Sequence, residues 1–183
     1  SKQFQGSTNA GPHGDFIHEL DHIVGELMKS LERLGMADNT VVMFSSDNGP
    51  EAETVIHMRD DHSHDGARPW RGVKRDQWEG GHRVPFVACW KGKIPAGTVR
   101  NQIVGTHDIV PTFVALAGGK FEPDQMLDSV SLAPVLLGQR GDDKPVRQTL
   151  LVQSSPGRDA LTEKEPDLPR PEGGARRRTA QER

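Results

Sequence analysis

The 183-residue chain lacks several features that would assign it to a class of protein at once. It has one cysteine, so no intrachain disulfide can form and cysteine usage does not identify a redox compartment. No apolar run approaches the roughly 20 residues of a membrane-spanning helix. The net charge of −3 shows no excess of positive charge, and therefore gives no reason to expect nucleic acid or an anionic membrane surface as a partner.

Apolar residues are also scarce, at 33% of the chain, and they are concentrated before Leu151. The length suffices for one domain with a modest core. Residues 158–183 carry many charges of both signs and almost no bulky apolar side chain, so burial cannot offset their ordering entropy. The sequence therefore predicts one folded unit over residues 1–157 and a disordered tail over residues 158–183.

The order of predicted elements alternates between helix and strand. Apolar residues from Phe16 to Leu34 keep helical spacing, which predicts a helix capped by Asp15 and ended by Gly35. The β-favouring run at 40–45 is typical of a strand buried on both faces of a parallel sheet. The fold class is therefore α/β. The other predictions are a loop with at most one helical turn from Pro50 to Pro69, strands at 84–90 and 149–153, and helices at 108–118 and 131–137.

An acid–amide pair, Asp47-Asn48, follows the first predicted strand, at the edge where α/β folds place ligands. Carboxylate and amide oxygens are ligands preferred by Ca²⁺ or Mg²⁺ over Zn²⁺. Asp-Asn-Gly-Pro is also excellent turn sequence, and the pair alone would indicate an Asx turn. The apolar strand before it and the motifs after it favour a metal site.

A lysine and a glycine-rich segment follow further along the chain. The ammonium of Lys74 is a compact point charge suited to an anionic oxygen. A solvated lysine is the ordinary alternative, and the Glu79-Gly80-Gly81-x-Arg83 segment after it favours the functional interpretation. Its glycines permit close backbone approach, and Glu79 and Arg83 are predicted first to pin the loop.

Other side chains have less specific patterns. His57, His62 and His64 suggest zinc, but zinc needs three or four converging ligands, so a solvated loop is preferred. His107-Asp108 is interpreted as a helix cap before a catalytic pair. Cys89 lies in an apolar strand, which predicts a buried, inert thiol.

In their residues and their order along the chain, these motifs resemble those of the sulfatases of the arylsulfatase type, in the alkaline phosphatase superfamily. The resemblance extends from about residue 14 to about residue 156. It implies an alkaline-phosphatase-like mixed or parallel sheet flanked by helices, present here only as the C-terminal part of the catalytic domain. The matching segments are the predicted helix at residues 14–34 and the motifs at residues 39–50, 71–85, 91–97, 108–113 and 128–132.

The resemblance implies hydrolysis of a small-molecule or glycan sulfate ester with Ca²⁺, Mg²⁺ being less favoured. It implies that Asp47 and Asn48 are two of the cation ligands and that Lys74 contacts the sulfate. The family nucleophile, a formylglycine made in a Cys/Ser-x-Pro-Ser-Arg motif, has no counterpart here, because Cys89 is followed by Trp-Lys-Gly-Lys. We expect it upstream, on a missing N-terminal portion of the same protein.

The chain begins Ser1-Lys2 without an apolar signal segment, and we expect it to start inside a longer protein. Family members are often exported, periplasmic or lysosomal, but no segment here identifies a compartment. The similarity stops near Arg158, where composition changes, and we hypothesise a frameshift or truncated reading frame there. Alone, the chain is expected to bind Ca²⁺ weakly and to hydrolyse no sulfate ester, because two oxygen ligands cannot satisfy an ion that takes six to eight.

Two alternatives stay open. The parent protein could be a hydrolase of phosphate or phosphonate esters in the same superfamily, which the upstream nucleophile would reveal. The chain could also be a non-catalytic, sulfatase-like fragment that retains only the fold.

Overall fold

The computed structural model describes residues 1–122 and 124–153, so the predicted disordered tail lies outside the described residues. Helices and strands alternate along much of the chain, which confirms the α/β class. The helices are α1 (Gly11–Arg33), α2 (Ala52–His62), α3 (Glu79–His82), α4 (Ile109–Leu116) and α5 (Ala133–Leu136), and the strands are β1 (Val42–Ser45) and β2 (Phe86–Cys89). Short 3₁₀ helices cover Lys2–Phe4, Ala37–Asn39 and Thr106–Asp108.

Helix α1 begins at Gly11, earlier than predicted, with a proline in its first turn. Proline suits that position because its fixed φ is helical and its missing N–H would have no partner there. The prediction that Asp15 caps the helix is wrong. Asp15 lies within α1, and its carboxylate instead accepts hydrogen bonds from the backbone N–H groups of Gly6 (2.7 Å) and Thr8 (2.9 Å). The helix ends as predicted, with Gly35 at φ +67°.

Helix α2 replaces most of the predicted loop between Pro50 and Pro69, and that prediction is wrong. The residues of α2, Ala52–His62, include no proline or glycine, so nothing in the backbone opposes a helix there. Val55 and Met58 are its buried residues. The helix ends at Ser63, whose φ of 51° is left-handed. Two buried positions are too few to produce a clear apolar period in the sequence.

Strands β1 and β2 pair antiparallel, with Val42 opposite Cys89 and Ser45 opposite Phe86. Both strands were predicted, and the antiparallel pair is compatible with the mixed sheet expected. However, β1 is half-buried along its whole length and not buried on both faces. In β2 half-buried and exposed residues alternate, so Cys89 is exposed and the prediction of a buried thiol is wrong. Residues 149–153 form no strand, since no described segment pairs with them.

The tightest apolar cluster joins α2 to the segments after it. Val55 and Val73 have no exposed surface and pack with Ala67, and the partly buried Ala52 and Ile56 pack against this cluster. Because α2 starts just after the Asp47-Asn48 loop and Val73 precedes Lys74, this cluster holds the two predicted site segments together.

A second buried region is polar and lies at the start of α4. Asp108 is fully buried, and its carboxylate accepts hydrogen bonds from the backbone N–H groups of Gly105 (2.8 Å) and Val130 (2.9 Å) and from Arg147 (2.5 Å). Asp108 precedes α4 as predicted, but it makes no capping bond to that helix. It joins three segments of the chain instead.

None of the helices in the described ranges combines the length and apolar character needed to cross a bilayer.

Candidate functional site

The loop after β1 is a hydrogen-bonded turn. Ser46 Oγ donates to the carbonyl of Asn48 (3.0 Å), and Asn48 Nδ2 donates to the carbonyl of Gly49 (2.9 Å). The hydrogen bond from Nδ2 therefore fixes the orientation of the Asn48 side-chain amide. Its Oδ1 accepts no hydrogen bond from the described part of the chain. The turn interpretation and the ligand interpretation are compatible, because the turn leaves an oxygen free.

Asp47 is exposed at the same turn. Within the described residues its carboxylate makes a single polar contact, with Ser46 Oγ at 3.4 Å. No Lys, Arg or His of residues 1–122 or 124–153 forms an ion pair with it. Asp47 therefore has an anionic oxygen pair that the described chain does not neutralise.

The turn packs backbone to backbone against the glycine-rich segment. Gly49 N donates to the carbonyl of Gly81 at 2.9 Å, and Lys74 N donates to the carbonyl of Pro50 at 2.9 Å. A Cβ added at Gly49 would lie 1.7 Å from the carbonyl oxygen of Gly80. Only a residue without a side chain fits this approach. The structure thus brings together the three sequence segments that carry Asp47-Asn48, Lys74 and Gly80-Gly81.

The backbone between Lys74 and Gly81 depends on Asp76, which the sequence analysis missed. Asp76 is buried, and its carboxylate accepts a hydrogen bond from Val73 N at 2.9 Å. A Cβ at Gly81 would lie 2.4 Å from the Asp76 carbonyl oxygen. The signal available was an aspartate placed three residues after a turn position, a spacing at which a carboxylate can bond the backbone.

Lys74 is paired in the structure, which the sequence analysis also missed. Its Nζ lies 3.4 Å from Glu51 Oε2, while Glu51 Oε1 accepts a hydrogen bond from Arg75 at 2.8 Å. The Arg75 hydrogen bond, assisted by Lys74, holds the pKa of Glu51 below its ordinary value. Nothing in the sequence pattern singled out Glu51, because its partners are far away along the chain.

Glu79 and Arg83 pair with each other at 2.7 Å, as expected of residues that fix the loop. The Arg83 guanidinium also lies 4.0 Å from the centre of the Trp70 ring. Similarly, the Arg71 guanidinium lies 3.9 Å from the centre of the Trp78 ring. These cation–π contacts add to the stability of the segment around Lys74.

No group of three or more His, Cys, Asp or Glu residues is arranged to hold a metal ion in the described ranges. His57 and His62 lie on α2 and His64 just after it, and within the described residues these histidines belong to no such group. Asp47 and Asn48 would likewise need ligands from elsewhere to surround a cation.

Comparison with known proteins identifies the family. The family model Sulfatase matches residues 1–119. N-acetylgalactosamine-6-sulfatase of Canis lupus familiaris is 35% identical over 146 residues, covering 80% of this chain and 27% of the relative. Arylsulfatase A of Bos taurus is 39% identical over 155 residues, covering 84% of this chain and 28% of the relative. The chain belongs to the sulfatase family.

Solved structures agree. The PsFucS1 sulfatase from Pseudoalteromonas sp. superimposes with a TM-score of 0.67 at 36% identity, covering 80% of this chain and 28% of that one. The predicted alkaline-phosphatase-like fold, present in part, is therefore confirmed. The chain spans 27% of the length of the first curated relative it matches.

Proposed function

We propose that the protein carrying this chain hydrolyses sulfate esters, with a small-molecule or glycan sulfate ester as substrate. In this proposal Asp47 and Asn48 are ligands of a Ca²⁺ ion, and Lys74 contacts the sulfate group. The observation that carries it is the packing of the Asp47-Asn48 turn on the Lys74 segment, through the Gly49–Gly81 and Lys74–Pro50 hydrogen bonds.

The chemistry of the donor set supports a hard cation. Asp47 offers carboxylate oxygens without a cationic partner in the described chain, and Asn48 offers an amide Oδ1 whose direction is fixed through its nitrogen. Oxygen ligands of this kind suit Ca²⁺, which takes six to eight of them. When bound, the ion would supply positive charge beside the sulfate oxygens. The remaining ligands belong to other parts of the protein.

In this proposal Lys74 supplies a cationic group to the site. Its ammonium has three donors, and its backbone N–H is already bonded to Pro50, so the residue is anchored at the turn. It can orient a sulfate oxygen and stabilise negative charge on it. The nucleophile of this proposal is a formylglycine from outside these residues, since no Cys/Ser-x-Pro-Ser-Arg motif is present.

The test uses the purified intact protein with 4-nitrophenyl sulfate and 4-nitrophenyl phosphate. We expect turnover of the sulfate ester, its loss on chelation of Ca²⁺, and a fall in kcat/KM of about a hundredfold or more in Asp47→Ala, Asn48→Ala and Lys74→Ala, the scale of losing an electrostatic contact to the transition state. Glu26→Gln, which removes an exposed ion pair on α1, is the matched control. Preference for the phosphate ester would favour the phosphorus chemistry, and wild-type rates in all three variants would overturn the site assignment.

A further inference from the structure

Glu51 contacts two basic residues at once. Its Oε2 lies 3.4 Å from Lys74 Nζ, and its Oε1 accepts a hydrogen bond from Arg75 Nη1 at 2.8 Å. Lys74 and Arg75 are consecutive, so one carboxylate gathers both side chains on the same side of the loop. Glu51 is therefore the ion-pair partner that the described residues provide for the Lys74 ammonium.

The backbones at both ends of this contact are fixed. Glu51 immediately precedes α2, and its carbonyl accepts a hydrogen bond from Val55 N at 3.1 Å. Lys74 N donates to the carbonyl of Pro50, the neighbour of Glu51. Val55 and Val73, which lie beside these anchors, are fully buried in one cluster. The ion pair therefore joins two side chains whose backbones are each anchored by a hydrogen bond.

The backbone at Arg75 is strained. Its φ of 78° lies in the left-handed region, which residues with a Cβ rarely adopt. Such a conformation persists where surrounding contacts determine it, and it is found preferentially at functional sites. The hydrogen bond from Arg75 to Glu51 is one of those contacts.

We propose that Glu51 is a positioning residue that holds the Lys74 ammonium beside the Asp47-Asn48 turn. This rests on the proposed function, in which Lys74 contacts the sulfate. A free lysine side chain must lose the freedom of its four-carbon stem when it meets the substrate, whereas a paired one has lost part of it already. Glu51 acts through Lys74 and does not touch the substrate.

The competing interpretation is that Glu51 stabilises the loop through its ion pair with Arg75 and has no effect on Lys74. The two interpretations predict different dependences: a positioning role of Glu51 requires Lys74, whereas a role in fixing the loop requires Arg75. Coupling between two substitutions measures this dependence, because residues that act through one another give non-additive effects.

The test measures kcat, KM and inhibition by inorganic sulfate in the intact protein, for Glu51→Gln alone and combined with Lys74→Ala or Arg75→Ala. We expect Glu51→Gln to lower kcat/KM about tenfold and to weaken sulfate inhibition by a similar factor. In the Lys74→Ala background the same change should have no further effect. In the Arg75→Ala background the tenfold loss should persist. Glu51→Asp, which keeps the charge, should recover part of the rate.

A second readout does not depend on turnover. Inorganic sulfate that binds the folded protein raises its Tm, and this protection should shrink in Glu51→Gln. Glu26→Gln removes an ion pair of 2.7 Å to Lys29 on α1 and should leave the protection unchanged. If Glu51→Gln does not fold, Glu51→Asp takes its place in both measurements.

The outcomes separate this inference from the proposed function. Wild-type rates in Glu51→Gln, with Lys74→Ala impaired, would overturn the positioning role alone. A loss that persists in Lys74→Ala and vanishes in Arg75→Ala would also overturn it, in favour of the role in fixing the loop. Wild-type rates in Lys74→Ala would show that Lys74 is not a sulfate contact, and both proposals would fall.

Discussion

Helix α1 and the loop segment from β1 to β2 differ in how completely the described chain packs them. The helix is long and regular, yet Phe16, Ile23, Leu27 and Leu34 are between 50% and 64% exposed along one side of it. The segment from β1 to β2 is irregular outside the short helices α2 and α3, yet it contains Val55 of α2 and Val73, both fully buried, and the backbone contact of Gly49 with Gly80. In this chain regularity of the backbone and completeness of packing are separate properties.

The difference has a physical cause. A helix satisfies its own backbone hydrogen bonds locally, so α1 can form while one apolar stripe stays uncovered within the described residues. A loop has no internal ladder, and its N–H and C=O groups must find partners in other segments. The turn at Asp47-Asn48 is held because Gly81 and Lys74 supply those partners.

The largest expected effect is that of Gly49→Ala. The added Cβ would lie 1.7 Å from the Gly80 carbonyl oxygen, so the two segments must separate. We expect a loss of about 3 kcal/mol in the free energy of unfolding, at the upper end of ordinary overpacking. Gly25→Ala on α1 is the matched control, since a Cβ there meets nothing within 4 Å, and it should stabilise by about 1 kcal/mol. Urea denaturation measures both, and equal midpoint shifts would show that the glycine contact is not tight.

The next effect concerns the apolar residues of the two regions. Val55→Ala removes atoms from a fully buried position and should cost about 2 kcal/mol, the sum of lost transfer energy and a cavity. Leu27→Ala removes a larger group, but Leu27 is 50% exposed, and in the chain alone the change should be about 0.5 kcal/mol or less. Thermal or urea unfolding of the two variants tests the order, and a larger cost at Leu27 would contradict the comparison.

A smaller effect is the pH dependence of stability at Asp65. Burial acts to raise the pKa of Asp65, but the hydrogen bonds from Arg59 (2.6 Å) and from Ala67 N (2.9 Å) outweigh it and hold the pKa below 3.8. A carboxyl with a lowered folded-state pKa contributes stability that is complete above its unfolded pKa and is lost as pH falls through the folded one. The stability difference between wild type and Asp65→Asn should therefore shrink below pH 3.8.

The same measurement on α1 gives the contrast. A hydrogen bond from Gly6 N lowers the pKa of Asp15. The Asp15 carboxylate is less buried than that of Asp65, so Asp15→Asn should show a weaker dependence over the same pH range. A dependence as strong as that of Asp65 would show that burial does not distinguish the two sites.

The smallest expected effect is that of Ca²⁺ on the chain alone. The turn is well packed, but it offers only Asp47 and Asn48, and the described residues contain no larger acidic group arranged for a metal. Calorimetry should therefore detect no micromolar affinity. Micromolar binding would mean that the chain completes the cation shell by itself.

Most elements were predictable because their signals are local. The signals are the apolar period of α1, the β-favouring runs of β1 and β2, and the proline-containing first turns of α4 and α5. Helix α2 was missed because only Val55 and Met58 are buried on it, which is too few for a period. The strand predicted at 149–153 does not form, although its residues favour a strand, because no neighbouring strand in the described residues pairs with it.

The sequence identified some residues of the candidate site but not the contacts that hold them in place. Asp47, Asn48 and Lys74 were selected from motif order, and their roles remain proposals. Asp76 and Glu51 were not selected, although they hold Val73 N and the Lys74 ammonium. Their importance follows from contacts and not from any pattern in the residues around them.

By itself the sequence determined the family, the α/β class and the residues proposed to bind the cation and the sulfate. Only the tertiary structure decided that β1 and β2 pair antiparallel, that Gly49 packs on Gly80, and that Glu51 meets Lys74. The physical reason is range. Helical periods and turn propensities act over a few bonds, whereas contacts between distant segments depend on the path of the whole chain between them.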